Sequence, residues 1–166
     1  AAFIAGRCDA FTGDKGNLAG QRSAFPEAEG GPDSLRILPE TLSKEPLGPV
    51  VRDGDTEWYD IVQWVVFGTM LADEMGVTSA NVAAMAANPP NKDVAILLGV
   101  GFEGGAVSGF GSSLGLSDTF MQSVIGKVGN YDEIYERTIA PIGLAREGSL
   151  NASWLDGGLI YAPPAR

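Results

Sequence analysis

Residues 44–76 constrain the fold of this chain more than any other stretch, because they join turn chemistry to one long apolar segment. The apolar run at residues 47–51 predicts a short strand, and the acidic Asp-Gly-Asp sequence at 53–55 predicts a turn. Asp55 is a natural N-cap, and Gly76 stands where a glycine commonly follows a helix. The stretch therefore predicts a strand, a turn and one long helix.

This helix is predicted to be apolar on nearly every side. One face carries Trp58, Ile61, Val62, Val65 and Thr69, and another carries Trp64, Phe67 and Leu71. A helix with so wide an apolar surface is normally covered on more than one side. The rest of the chain is expected to supply that cover.

Composition excludes several classes of function. The 166 residues suit one domain or parts of two, and a formal charge of −10 disfavours binding to nucleic acid. The longest apolar run is shorter than a membrane-spanning helix needs. The chain has no histidine, the commonest general base and metal ligand, and one cysteine, Cys8, so an internal disulfide is impossible. Cys8 is either an inert apolar residue or half of a bridge to a cysteine elsewhere.

The first forty residues predict alternating strands and helices. Residues 1–5 lack both an initiator Met and a charged start, which predicts the last turn of a helix and a chain that begins inside a larger protein. Strands are predicted at 8–12 and 35–38, with a helix at 15–24 between them. Pro39 and Pro46 bracket the segment that best fits a domain boundary.

The second half predicts short helices separated by glycine-rich loops. Helices are expected from Thr78 or Ser79 to residue 87, over 92–98 after an Asn91 cap, over 118–128 after a Ser117 cap, and over 131–138 after an Asn130 cap. Residues 99–115 are expected to form a long loop.

Gly99, Gly101 and Gly104 match the G-x-G-x-x-G pattern of dinucleotide-binding folds. That pattern requires a strand before it and a helix after it, so that the pyrophosphate meets the helix N-terminus. The preceding residues predict a helix, and the following residues contain too many glycines for one. The pattern favours a surface loop, and an α/β nucleotide-binding enzyme remains an alternative.

Acidic residues are grouped at Asp73/Glu74, at Asp132/Glu133/Glu136 and at Glu27/Glu29. A catalytic carboxylate pair needs burial and a facing partner that separates the two pKa values. These groups lie at predicted helix ends or in a polar loop, which favours a solvated surface. Serine and threonine nucleophiles have no histidine to activate them, so no catalytic residue is predicted.

Asp9 and Asp14 differ from these groups. Asp9 lies within the first predicted strand, and Asp14 lies just beyond its carboxyl end, where open α/β sheets bind ligands. A carboxylate there can hold a cationic group. An N-cap role for Asp14 explains its position equally well.

The segment GRCDAFTGDKGNLAGQR, which contains both aspartates, resembles the second lobe of periplasmic amino-acid-binding proteins of ABC transporters. The similar group is the general L-amino-acid (Aap/Bzt-type) family. The resemblance continues, in the same order, through ILPETLSKEPLGPVVRDGDTEWYDIVQW, LADEMGVTSANV, VGNYDEIYER and LNASWLDGGLIYAPPAR. It thus covers nearly the whole chain.

The resemblance implies part of a two-lobed α/β fold, the type II periplasmic-binding-protein fold, in a helix-rich C-terminal portion. In that family two lobes close on an amino acid like a hinged clamp. Asp14 would then meet the ligand α-ammonium group, and Thr12 would line the same cleft. Cys8 would pair with a cysteine outside this chain, since such proteins are secreted. No metal and no cofactor is implied.

The resemblance also implies how the chain is divided. Residues 1–40 would be the end of lobe two, 41–46 a hinge crossing, and 47–166 the C-terminal part of lobe one. Part of the cover of the long helix would come from the half of the family's chain that is missing here. The implied partners are an amino acid, an ABC permease, and that missing half or a second copy. A truncated paralogue that acts as an interaction domain is the remaining alternative.

Overall fold

A computed structural model describes residues 2–43 and 47–165 of the chain. The backbone divides into two compact units: unit 1 is Ala1–Gly48 with Thr138–Leu144, and unit 2 is Pro49–Arg137 with Ala145–Arg166. The junction after Gly48 lies two residues beyond the predicted linker. Residues 44–46 of that linker, including Pro46, lie outside the described residues.

The described part of unit 1 contains one α-helix. Helix α1 (Lys15–Ser23) confirms the predicted helix at 15–24 to within one residue. Three-residue 3-10 turns follow at Glu27–Glu29, Pro32–Ser34 and Ala140–Ile142, and the last of these packs against α1. Among the described residues of this unit, Ala19 and Gly31 are buried and all others are at least partly exposed. Unit 1 therefore has almost no core of its own.

The strands predicted at 8–12, 35–38 and 47–51 do not form. Within the described ranges the β-type pairing is an isolated parallel bridge between Ser153 and Ile160. A strand is stabilised by hydrogen bonds to a neighbouring strand, and the described segments offer these runs no such neighbour. Their apolar side chains are exposed instead, for example Phe11 at 60% and Val50 at 96%.

Unit 2 is built on helices. Its helices are α2 (Thr56–Glu74), α3 (Val82–Ala87), α4 (Lys92–Leu98), α5 (Phe120–Val128) and α6 (Tyr131–Thr138). Helices α2, α3, α4 and α5 pack on one another. The largest fully buried side chains of this core are Val77, Val94, Leu97, Leu98, Met121 and Ile125.

Helix α2 begins and ends as the sequence predicts. The Asp55 carboxylate accepts a 3.1 Å hydrogen bond from the backbone N–H of Trp58, and Gly76 has a φ of +66°, which a glycine adopts without strain. Near its C-terminal end, Gly68 lets α2 approach α5 closely, since a Cβ there would come within 2.5 Å of the Met121 side chain.

The shorter helices form near the capping residues that predict them, but two of them begin later than predicted. Asn91 caps α4 and Asn130 caps α6, as predicted, and each side chain accepts a 2.9 Å hydrogen bond from the helix. Helix α3 begins at Val82 and α5 at Phe120, each later than predicted. Residues 117–119 do not join α5. The Asp118 carboxylate instead accepts hydrogen bonds from the backbone N–H and the hydroxyl of Ser112.

A search of the described residues finds no helix both long and apolar enough to cross a bilayer.

Candidate functional site

Asp14 lies at the N-cap position of α1, with φ −60° and ψ 140°. Its carbonyl oxygen accepts the first helical hydrogen bond, from Leu18 N–H at 2.8 Å, but its carboxylate caps no N–H of the helix. The side chain is exposed. The N-cap interpretation is therefore right for the backbone position and wrong for the side chain, which leaves the carboxylate available to a ligand.

The predicted binding residue Thr12 and the predicted disulfide residue Cys8 lie with Asp9 on one exposed segment before α1. Cys8, Asp9 and Thr12 are all exposed, and Cys8 is a free thiol. At Gly13 the chain passes over Leu18, whose side chain lies 3.7 Å from where a Cβ would stand. The segment thus lies over Leu18 of α1, and its polar residues are exposed.

One contact also ties the start of α1 to the end of the following loop. The Lys15 ammonium group donates to the backbone carbonyl of Pro39 at 3.4 Å. Since Lys15 is adjacent to Asp14, this contact restrains the helix N-terminus at which the candidate site lies.

The glycine pattern at 99–104 is not arranged as a nucleotide site. Helix α4, not a strand, precedes it, and Gly99 is the left-handed C-cap of that helix with a φ of +65°. Residues 100–109 contain no helix. The required strand–loop–helix context is absent there, so the surface-loop interpretation is confirmed.

Close backbone contacts explain these glycines instead. A Cβ on Gly99 would collide with the carbonyl oxygen of Asp118, and a Cβ on Gly101 would come within 2.5 Å of the Gly105 carbonyl oxygen. Gly104 has a φ of +79°. The local backbone therefore explains the presence of glycine at each of these three positions without a bound phosphate.

The prediction of a solvated surface is wrong for Asp73, Asp132 and Glu133, whose carboxylates make contacts within the fold, whereas Glu136 is exposed as predicted. The buried guanidinium of Arg146 contacts the Asp73 carboxylate at 2.6 Å and the Asp132 carboxylate at 2.7 Å. It also donates to the carbonyl of Asn151 at 3.0 Å and lies 5.2 Å from the centre of the Tyr131 ring.

Burial and charge act in opposite directions on these groups. Burial lowers the pKa of Arg146, but the hydrogen bonds and charges of Asp73 and Asp132 outweigh it and raise that pKa above its ordinary value. Burial raises the pKa of Tyr131, and the nearby Arg146 charge only partly offsets it. Arg146 is thus a permanent cation at this position and serves the fold.

Glu133 caps the start of α6 and also binds Ser79, which lies 54 residues earlier in the chain. Its carboxylate accepts hydrogen bonds from Asn130 N–H at 2.9 Å, from Ser79 N–H at 2.9 Å and from the Ser79 hydroxyl at 2.6 Å. Partial burial raises its pKa, but these hydrogen bonds and the charge of Arg137 together lower that pKa below its ordinary value. This carboxylate is therefore ionised and structural.

An open cleft of about 520 Å³ lies beside Arg146 in unit 2. Its polar lining is mostly acidic: Asp132, Glu136, Glu147 and Asp156. Within the described residues no group of three or more histidine, cysteine or carboxylate side chains is arranged to hold a metal ion. The cleft has neither a nucleophile activated by a base nor a metal cluster.

Sequence reasoning missed Arg146. Its partners lie 73 and 14 residues away along the chain, so no local pattern connects them. The available signal was weak: a single arginine next to a short polar turn, and aspartates near the ends of two predicted helices.

Comparison with known proteins gives matches along the whole chain. The chain is 45% identical over 167 residues to the glutamate/glutamine/aspartate/asparagine-binding protein BztA of Rhodobacter capsulatus, covering 99% of this chain and 46% of BztA. It is 45% identical over 169 residues to the general L-amino acid-binding periplasmic protein AapJ of Rhizobium johnstonii, again covering 46% of the relative. The chain spans about half the length of the curated relatives it matches.

A solved structure gives the same result. The chain is 42% identical to an ABC transporter periplasmic binding protein from Brucella ovis with glutathione bound, with a TM-score of 0.85 over 99% of this chain and 49% of the other. No protein-family model matches the chain. The prediction of a helix-rich part of a two-lobed binding-protein fold is confirmed, and these matches do not favour the nucleotide-binding alternative.

Proposed function

This chain is a relative of the periplasmic amino-acid-binding proteins of ABC transporters and matches about half of their length; we propose that it supplies one half of such a protein. In this proposal the complete clamp binds L-amino acids in the periplasm and delivers them to an ABC permease. The chain performs no catalysis, since its relatives are named as binding proteins. The observation that carries the proposal is the match along the entire chain.

The names of the relatives suggest which chemical group is recognised. They specify acidic amino acids and their amides, L-amino acids in general, and glutathione. All of these carry a free α-ammonium group beside an α-carboxylate. We therefore propose that the site holds this common group and leaves the side chain less restricted.

Asp14 is the residue proposed to bind the ammonium group. Its residue is exposed, and its carboxylate makes no capping hydrogen bond to the helix. Asp14 lies at the start of α1, two residues after Thr12. On closure of the clamp the ion pair loses water, which strengthens its hydrogen bonds and makes loss of either partner costly. Thr12 is proposed to line the same cleft through its hydroxyl.

The division into lobes is part of the same proposal. Residues 1–40 are assigned to lobe two, 41–46 to the hinge crossing and 47–166 to lobe one. The exposed thiol of Cys8 is proposed to pair with a cysteine in the half of the protein that this chain does not match. The partners are then an amino acid, the permease, and that other half.

The test is calorimetric titration of a chimera in which this chain replaces the matching half of AapJ. L-glutamate, L-glutamine and L-alanine are expected to give saturable heats, and NAD is expected to give none. Absence of binding by a folded chimera to every amino acid tested would refute the proposed function, and a saturable response to NAD would revive the nucleotide alternative.

Asp14→Asn should weaken amino-acid binding by the chimera at least about 30-fold, because a desolvated ammonium group would lose its counter-charge. Asp33→Asn is the matched control: it removes one exposed carboxylate from the same unit and should leave the affinity unchanged. An Asp14→Asn chimera with the affinity of the unsubstituted one would show that this site assignment is wrong.

A further inference from the structure

The sequence contains two Asp-Gly pairs, Asp53–Gly54 and Asp156–Gly157, and the structure holds them in different ways. An Asp-Gly pair is prone to spontaneous isomerisation, because glycine has no side chain to shield its backbone nitrogen from the preceding carboxyl group. The fold decides whether that nitrogen is free to reach the carboxyl carbon. The two pairs therefore form a comparison within one chain.

The first pair lies in an open turn. Asp53 and Gly54 are the exposed central residues of the turn before α2, which is closed by a 3.4 Å hydrogen bond from Asp55 N–H to the Arg52 carbonyl. Such a turn joins its first and fourth residues and gives its central N–H no partner within the turn. No residue in the described part of the chain accepts a hydrogen bond from Gly54 N–H.

The space around Gly54 is also free. Apart from its chain neighbours, no described atom lies within 4 Å of the position that a Cβ would take there. Gly54 has a φ of +81°, the value that a type II turn requires at this position. The Asp53–Gly54 peptide can therefore rotate without breaking a hydrogen bond of its own N–H or displacing a packed group.

The second pair lies in a closed loop. Gly157 N–H donates to the Trp154 carbonyl at 3.3 Å, and Gly158 N–H donates to the Ser153 carbonyl at 2.9 Å. Asp156 N–H donates to the same Ser153 carbonyl at 2.9 Å. Turning the Asp156–Gly157 peptide toward the Asp156 carboxyl group would break hydrogen bonds that hold this loop.

We propose that Asp53 is a site of spontaneous isomerisation to isoaspartate and that the fold protects Asp156 from the same reaction. The Gly54 nitrogen attacks the Cγ carbon of the Asp53 carboxyl group and forms a C–N bond. The nitrogen's proton and the carboxyl hydroxyl leave as one water, and a five-membered cyclic imide remains. One water then opens the imide at either carbonyl, which restores aspartate or gives isoaspartate, so the overall reaction is a rearrangement that consumes no other reactant.

The rearrangement changes the turn that precedes α2. In isoaspartate the main chain passes through the former side-chain carbon, so one methylene is added between Arg52 and Asp55, whose hydrogen bond closes the turn. Asp55 also caps α2 by accepting the 3.1 Å hydrogen bond from Trp58 N–H. Isomerisation of Asp53 therefore weakens the cap, and the Trp58 amide hydrogen should exchange about fivefold faster in the isoaspartate form.

The test is ageing of the full chain in warm neutral buffer, followed by peptide mapping with mass spectrometry and an isoaspartate-specific methyltransferase as the probe. Isoaspartate should form at position 53 at least about fivefold faster than at position 156, the factor by which one hydrogen bond typically lowers the population of a free N–H. In guanidinium chloride the fold is removed, and the two positions should isomerise at similar rates. In heavy-oxygen water the product should take up one labelled oxygen, as hydrolysis of the imide requires.

Two variants give the matched comparison. Asp53→Glu keeps the charge but can close only a six-membered ring, which forms much more slowly, so it should abolish the rearrangement at this position. Asp156→Glu makes the same change in the closed loop and should leave the rate at position 53 unchanged.

Equal rates at the two positions of the folded chain would overturn the proposal. A preference for position 53 that persists in guanidinium chloride would also overturn it, because the preference would then come from neighbouring residues and not from the fold. Equal exchange of the Trp58 amide in the aspartate and isoaspartate forms would contradict the effect on α2.

Discussion

Glu133 shows at the scale of one residue how an acidic side chain at a helix start becomes structural. It receives two hydrogen bonds from Ser79 and one from Asn130, and it gives α6 the reciprocal cap in which Asn130 also accepts from Glu133 N–H. The net effect is a pKa below the ordinary value of 4.5. The carboxylate therefore stabilises the fold in its ionised form.

Glu133→Gln should lower the free energy of unfolding by about 1 kcal/mol at pH 7, because an amide accepts these hydrogen bonds less well than a carboxylate, with allowance for solvent screening. The folded-state pKa is depressed, so the contribution of Glu133 is fully present above its unfolded pKa and disappears as the pH falls through the folded pKa. Urea unfolding at pH 7 and at a series of pH values below 4.5 should show the variant and the unsubstituted chain converging only in the acid series.

Glu136→Gln provides the control, since Glu136 lies exposed on the same helix. It should change the free energy of unfolding by no more than about 0.5 kcal/mol at either pH. A difference between Glu133→Gln and the unsubstituted chain that stays constant in acid would show that the hydrogen bonds do not depend on the ionised form.

Single residues also mark the limits of sequence reasoning at the candidate site. Asp14 is singled out by its place just beyond the first predicted strand and by the family resemblance, and its N-cap backbone position was foreseen. That its carboxylate would make no cap hydrogen bond was not, because the choice between a cap and a free side chain depends on a rotation that local sequence leaves open.

Arg146 acts at the scale of elements, because it joins three of them. Its guanidinium binds Asp73 near the end of α2, Asp132 in the first turn of α6, and the backbone of Asn151 in the C-terminal segment. Asp73 is mostly buried, with 16% of its side chain exposed. Removing the cation leaves that carboxylate without its counter-charge.

Arg146→Met should lower the free energy of unfolding by about 3 kcal/mol, the usual cost of breaking a buried ion pair from one side. Arg52→Met removes an exposed arginine from the same unit and should cost no more than about 0.5 kcal/mol. The measurement is the free energy of unfolding of both variants, obtained by chemical denaturation at neutral pH. A loss for Arg146→Met no greater than that of the control would contradict the structural role.

The elements that sequence predicted well are those specified by neighbouring residues. Helices α2, α4 and α6 follow from Asp55, Asn91 and Asn130, since a capping side chain acts within three residues of its helix start. The predicted strands failed because a strand depends on a partner distant in sequence. The Arg146 contacts escaped prediction for the same reason.

At the scale of the whole molecule, both units expose apolar side chains that a stable fold normally covers. In unit 1, Leu38 is 61% exposed and Leu42 is 85% exposed, and two of its described residues are buried. In unit 2, Trp58 on α2 is 52% exposed and Val50 is 96% exposed. Both observations agree with a chain that supplies about half of the surfaces packed together in its relatives.

The central claim is that this chain holds part of an amino-acid clamp whose closure needs the other half. The most direct measurement is calorimetric titration of L-glutamate into the chain alone and into the AapJ chimera under the same conditions. We expect a saturable heat for the chimera and no tight binding by the chain alone, since in this proposal the chain supplies about half of the clamp. A dissociation constant below about 1 µM, equivalent to about −8 kcal/mol, measured on the chain alone would contradict it.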